Sequence, residues 1–175
     1  MGFVVAAGGV RLALLLTREV LADPEDITSI SIIAVNRSED EIECHQELCD
    51  LGKLYPERVR VAFSLTADAS EVAPSWRGFT GRGDVAMARA VLPSPTSLTD
   101  SSESPGNHTG VGVMILVTGR VQGDDRGGDD FVELWAGLAG KRPSTKGKAS
   151  MQRVQGSLGG ILAELGFSSS EVFKM

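Results

Sequence analysis

Three short stretches of this chain, residues 3–7 (FVVAA), 30–35 (ISIIAV) and 111–117 (VGVMILV), carry no charge at all. A strand without charge has both faces buried, the condition of a parallel sheet covered by helices on each side. The sequence between them has helical character. Residues 11–21 are rich in Leu and Ala and stop at Asp23-Pro24. Ser38 is placed to cap the next helix, with Glu39, Asp40 and Glu41 favouring its positive end. Residues 58–65 alternate as a further strand, and residues 82–92 read as a helix closed by Pro93, with Asp84 as its cap or first-turn residue. Residues 131–138 and 152–165 are helical candidates. Strands alternating with helices predict an α/β fold, a three-layer α/β/α domain with a parallel sheet and right-handed crossovers.

A length of 175 residues predicts one domain spanning 1–175, with loops at about 94–110 and 120–130, where Ser, Pro, Gly and Asp dominate. The net charge of −6 and the scattered basic residues argue against a nucleic-acid partner. Cys44 and Cys49 fall on different faces of one helix, so no disulfide is expected and a reducing compartment fits. His45 and His108 lie far apart, no metal-ligand spacing exists, and His45 reads as a surface residue. No stretch has the length of a membrane span or the pattern of a signal peptide. Trp76 and Trp135 read as packing residues. Arg-Gly-Asp at 82–84 reads as chance rather than an adhesion motif.

The most informative segment for function is residues 32–51, an apolar strand followed by the polar, acid-rich turn NRSEDE and an amphipathic helix. Open α/β sheets bind nucleotides beyond the carboxyl ends of their strands, and such a turn belongs there. Gly8-Gly9 after the first strand could let backbone N–H groups approach a pyrophosphate at a helix N-terminus, or could simply make the turn. Arg11 could place a positive charge beside that phosphate, or be a solvated helix residue.

Five segments carry a resemblance. AAGG, TREVLADPEDITSISIIAVNRSEDEIECHQEL, LYPERVRV, LP-S-P and LGGILAELGFSSSEVFKM resemble the C-terminal NADH-binding half of the NADH–cytochrome b5 reductase family, in the ferredoxin-reductase-like superfamily. The resemblance implies a Rossmann-like NAD-binding domain of the ferredoxin reductase type. It implies that Gly8, Gly9, Thr118 and Gly119 line the phosphate and nicotinamide side of NADH, while Asn36, Arg37 and Glu41 line the adenosine side. Glu41 would bind ribose hydroxyls and favour NADH; Arg37 would favour the 2′-phosphate of NADPH. No general acid or base is implied.

The family's flavin barrel, with its R-x-Y-[ST] motif, has no counterpart here. FAD would therefore come from another domain or a longer gene product, this chain alone should not reduce an acceptor, and a haem or iron–sulfur centre would be the acceptor. The resemblance places such a protein in the cytoplasm or on the cytoplasmic face of an organelle membrane. Two segments depart from the family. Val10-Arg11 follows Gly8-Gly9 where the family reads G-G-T-G-I-T-P, and Thr118-Gly119-Arg120 stands where it reads C-G-P-P. These departures support an alternative, a non-catalytic α/β interaction protein with degenerate nucleotide loops.

Overall fold

Strand β1 (Gly2–Val5) and strand β2 (Ile30–Asn36) are buried along their whole lengths, as their lack of charge requires. The computed structural model describes residues 1–6, 8–67, 71–95, 114–118, 134–136, 152–153 and 158–174. Beside the first two strands lie β3 (Val59–Leu65), β4 (Phe79–Thr80), β5 (Ile115–Thr118), β6 (Gln152–Arg153) and β7 (Val172–Lys174), in the order β4-β3-β2-β1-β5-β7-β6. Every neighbouring pair is parallel except β6 with β7. The order reverses at β1. From there the chain builds outward through β2 and β3, then resumes on the other side with β5.

Helices α1 (Val10–Ala22), α2 (His45–Leu54), α3 (Val85–Val91) and α4 (Gly160–Glu164) cover the sheet. On α1 the buried residues are Val10, Ala13, Leu14 and Thr17, one stripe at helical spacing. That stripe packs with Leu48 of α2 on Phe3, Val5, Ile30, Ile32, Ala34 and Leu116. The alternate strand residues Val4, Ile33, Val35, Ile115 and Val117 face α3, α4 and the helical residues Trp135 and Ala136. The architecture is thus α/β/α in three layers. Fully buried side chains such as Phe3, Ile32 and Leu48 each contribute about 1.5–3 kcal/mol by leaving water.

Several expectations are corrected. The helix after Asn36 does not begin at Ser38. Residues Glu39–Glu41 form a single 3-10 turn, Ser38 makes no side-chain cap, and α2 starts only at His45. Two features impose the delay: Ile42 is buried, and Cys44 takes φ 53, the one positive φ among the described non-glycine residues. Residues 152–165 are not one helix. Gln152–Arg153 pairs with β7, and α4 begins after Gly159, with Gly160 at φ 62. Strands β4, β6 and β7 were not anticipated, being two or three residues long. Of the helix expected at 131–138, residues 134–136 are helical and the others lie outside the described residues. The loops expected at 94–110 and 120–130 also lie outside them, apart from Ser94 and Pro95. Among the described residues, no helix is long and apolar enough to cross a membrane.

Candidate nucleotide site

Register places the strand ends on one edge. Val5 of β1 stands opposite Ala34 of β2 and Thr118 of β5, and Asn36 stands opposite Leu65 of β3. The crevice where the order reverses therefore opens between the ends of β1 and β5. Doubly wound sheets bind ligands at that position.

The turn after β1 delivers the chain directly into α1. Gly8 has φ 84, a conformation that favours glycine, and the Gly9 N–H donates to the Ala6 carbonyl at 2.9 Å. Gly9 is the N-cap of α1 and supplies no side chain, and the first turn of the helix carries no acid. The N–H groups of that turn are left for solvent or a ligand, at the positive end of a 13-residue helix.

Asn36 ends β2 at 2% exposure. Neither Oδ1 nor Nδ2 has a hydrogen-bond partner among the described residues. Strand alternation sets Asn36 on the face of Ile32 and Ala34, which α1 and α2 cover. A buried amide without partners costs about 1–3 kcal/mol. It is the strongest sign that this edge is built for a polar group.

Beyond Asn36 the β2–β3 ladder runs on. The Thr66 N–H donates to the Asn36 carbonyl at 2.8 Å, and the Ala67 N–H donates to the Arg37 carbonyl at 3.0 Å. Arg37 is exposed. Glu41, also exposed, ends the 3-10 turn, its N–H donating to the Ser38 carbonyl at 3.3 Å. Of the residues expected to bind nucleotide, the structure brings Gly8, Gly9, Asn36 and Thr118 to the ends of three adjacent strands, with Arg37 next in line. Gly119 lies outside the described residues.

Some neighbours of this edge were not singled out from sequence. Glu43 takes Arg11 in an ion pair at 3.4 Å, so Arg11 bridges α1 to the segment after the 3-10 turn. Arg11 is exposed and Glu43 half-buried, and the pair is worth about 1 kcal/mol or less. Burial, then a hydrogen bond and charge from Glu47, push the Cys44 thiol above its ordinary range, against a smaller pull from Arg11. Cys44 and Cys49 are both free.

The turn at 81–83 is held to the same edge. The Gly81 N–H donates to the Leu65 carbonyl at 2.7 Å, and Ser64 Oγ donates to the Gly81 carbonyl at 2.7 Å. The Trp135 indole donates to the Arg82 carbonyl at 3.2 Å. Trp135 is fully buried, a packing residue as expected. Asp84 caps α3, accepting from the Met87 N–H at 2.7 Å.

A groove of about 450 Å³ runs beside β3, between α2 and the segment at 75–79. His45 lies in it, half-buried rather than on the open surface, with its ring edge-on to Phe63 at 4.6 Å. Nothing in the sequence paired Phe63 with His45. Among the described residues no group of His, Cys, Asp and Glu could hold a metal.

No protein-family model matches the chain. NADH-cytochrome b5 reductase 2 of Neosartorya fischeri is 29% identical over 159 residues, covering 91% of this chain and 38% of the relative. NADH-cytochrome b5 reductase 2-B of Vanderwaltozyma polyspora is 25% identical over 173 residues, covering 97% and 45%. The chain thus spans less than half the length of these curated relatives. The cytochrome b5 reductase domain of Ulva prolifera nitrate reductase superposes with TM-score 0.52 at 21% identity, covering 66% of this chain and 37% of that one. The CS-b5R domains of human Ncb5or, solved in the NAD+ form, superpose with TM-score 0.57 at 17% identity, covering 99% and 35%. The similarity to NADH–cytochrome b5 reductases seen in the sequence holds across most of the chain, and the α/β/α fold is one it shares with solved cytochrome b5 reductase domains.

Proposed function

We propose that this chain is the NADH-binding module of a flavin-dependent oxidoreductase of the cytochrome b5 reductase kind. The observation that carries the proposal is Asn36, a buried amide with no partner among the described residues, at the carboxyl end of a parallel strand beside an uncapped helix. The names of the relatives support it.

In this reading Gly8, Gly9 and the first-turn N–H groups of α1 hold the pyrophosphate. The glycines let the backbone come close, and the helix end supplies partial positive charge. Asn36, Arg37 and Glu41 take the adenosine half, while Thr118, across the order reversal, and Gly119, which follows it in the sequence, are assigned to the nicotinamide side. When bound, NADH supplies a hydride for a flavin held by another domain or chain. The side chains of this chain position the dinucleotide and exclude water, and no proton transfer is asked of them. The whole chain acts as one nucleotide-binding unit, and the final acceptor is a haem or iron–sulfur centre.

Calorimetric titration of the purified chain with NADH tests this. Saturable one-site binding in the micromolar to millimolar range is expected, weakened at least about tenfold in Asn36→Ala. Absence of binding through the millimolar range would refute it. A second reading, an interaction protein without nucleotide, is favoured by one feature: α1 begins at Val10, directly after Gly9, which leaves little loop to cradle a phosphate.

A further inference from the structure

We infer that the open outer edge of β3 takes an extended, acidic peptide of a partner protein, which adds a strand to the sheet. The inference is independent of the nucleotide reading, because this edge lies on the far side of β3 from the crevice between β1 and β5.

Strand β4 covers only the carboxyl end of β3. It pairs Phe79 with Ser64 and Thr80 with Leu65, and among the described residues no strand lies on that side of residues 59–63. Along a parallel strand, successive residues direct their backbone groups to opposite neighbours. The Arg58 carbonyl accepts from the Ile30 N–H at 2.6 Å, and the Thr66 N–H donates to the Asn36 carbonyl at 2.8 Å, so the even-numbered residues between them face β2. The odd-numbered residues face outward. The Leu65 carbonyl accepts there from the Gly81 N–H at 2.7 Å, and the Val59 N–H donates to the Tyr55 carbonyl at 2.8 Å. The Val61 N–H and carbonyl and the Phe63 N–H have no such partner among the described residues. A row of unpaired donors and acceptors is a template for another strand.

The groove beside β3 lies on this row. Val61 and Phe63 line it, together with His45 and Cys49 of α2 and with Trp76 and Phe79. Its volume of about 450 Å³ has room for an aromatic side chain. The Trp76 indole donates to the Phe79 carbonyl at 2.9 Å, so that wall is fixed before anything binds.

An added strand alternates its side chains between the two faces of the sheet. On the groove face, beside Val61 and Phe63, apolar residues fit. On the other face its neighbour is Arg60, exposed and without an ion pair among the described residues. Arg77, in the groove wall, also lacks an ion pair there and reaches only the Pro74 and Trp76 carbonyls. Opposite charges attract across a strand pair, so acids suit the occupant. Glu39, the one acid in the lining, follows the carboxyl end of β2, whereas Arg60 stands near the amino end of β3. A second copy of this edge would bring its own Arg60 to the seam, like charge toward like charge, which disfavours self-pairing.

The test titrates the full chain with the acetylated, amidated peptide TVDFDVT, which alternates apolar and acidic residues, and follows backbone amides by NMR. Saturable shifts at Val61 and Phe63 are expected in the micromolar to millimolar range. N-methylation of one alternate set of peptide amides should weaken binding at least about tenfold, and methylation of the other set should leave it unchanged, because only one set faces β3. Arg60→Glu should weaken binding at least about threefold, and the lysine peptide TVKFKVT, which repeats the charge test on the native chain, should bind as poorly. Absence of binding through the millimolar range, equal weakening by both methylation patterns, or indifference to both charge changes overturns the inference. Sedimentation that shows the chain alone dimerising, with the Val61 amide protected, would give the edge to a second copy and overturn it too.

Discussion

Replacing Asn36 with Leu should raise stability and remove nucleotide binding. The side chain is 2% exposed, and both of its polar atoms lack partners among the described residues. An unsatisfied buried amide costs about 1–3 kcal/mol. Leucine has a similar size and adds no polar atom. Its different branching strains the packing by about 1 kcal/mol, which leaves a net gain of about 0–2 kcal/mol. For a chain of this length that is a rise of up to roughly 8 °C in Tm. Differential scanning calorimetry and urea unfolding measure the stability, and titration with NADH measures the binding. Sites that trade stability for function behave in this way. A variant that loses 2 kcal/mol or more would mean the amide is satisfied in the folded protein. A variant that still binds NADH at native affinity would mean the amide serves no ligand. Either result removes the main support for the site.

Gly83→Ala should destabilise by about 2–4 kcal/mol, seen as a lower urea midpoint, because Gly83 has φ 121 and an added Cβ would overlap the Trp135 ring. Asp84→Ala should cost about 1 kcal/mol in the same assay by removing the cap of α3. Cys44 should resist iodoacetamide at pH 8 in the folded protein and react once urea exposes it, since its thiol is held above the ordinary range. The sign for stability follows: the folded state holds this proton more tightly, so the contribution of Cys44 is present below the unfolded thiol pKa and declines as pH rises through the folded value. Mass spectrometry of the labelled chain, resolving Cys44 from Cys49, measures this.

The strands without charge were legible because burial on both faces is a strong compositional demand, and β1, β2 and β5 lie where it placed them. Helix α1 was legible from its Leu and Ala content and the stop at Asp23-Pro24, and the cap at Asp84 from its residue type. The start of α2 was not. The acids at 39–41 have the composition of a helix start, and only the burial of Ile42 and the positive φ of Cys44 break the run. The short strands β4, β6 and β7 exist only by pairing with a neighbour, so two or three residues of sequence carry no period to detect.

By itself the sequence determined the fold class and the order of the longer elements from β1 to β5, because hydrophobic period and charge exclusion are local properties of the chain. It also marked Gly8, Gly9 and Asn36 as polar punctuation at strand ends. Only the tertiary structure decided that β5 lies against β1, bringing Thr118 level with Val5 and opening the crevice between them. Only the tertiary structure left the Asn36 amide buried without a partner among the described residues. Strand order and the satisfaction of a buried polar group depend on contacts between residues far apart in the chain, and no local pattern encodes them.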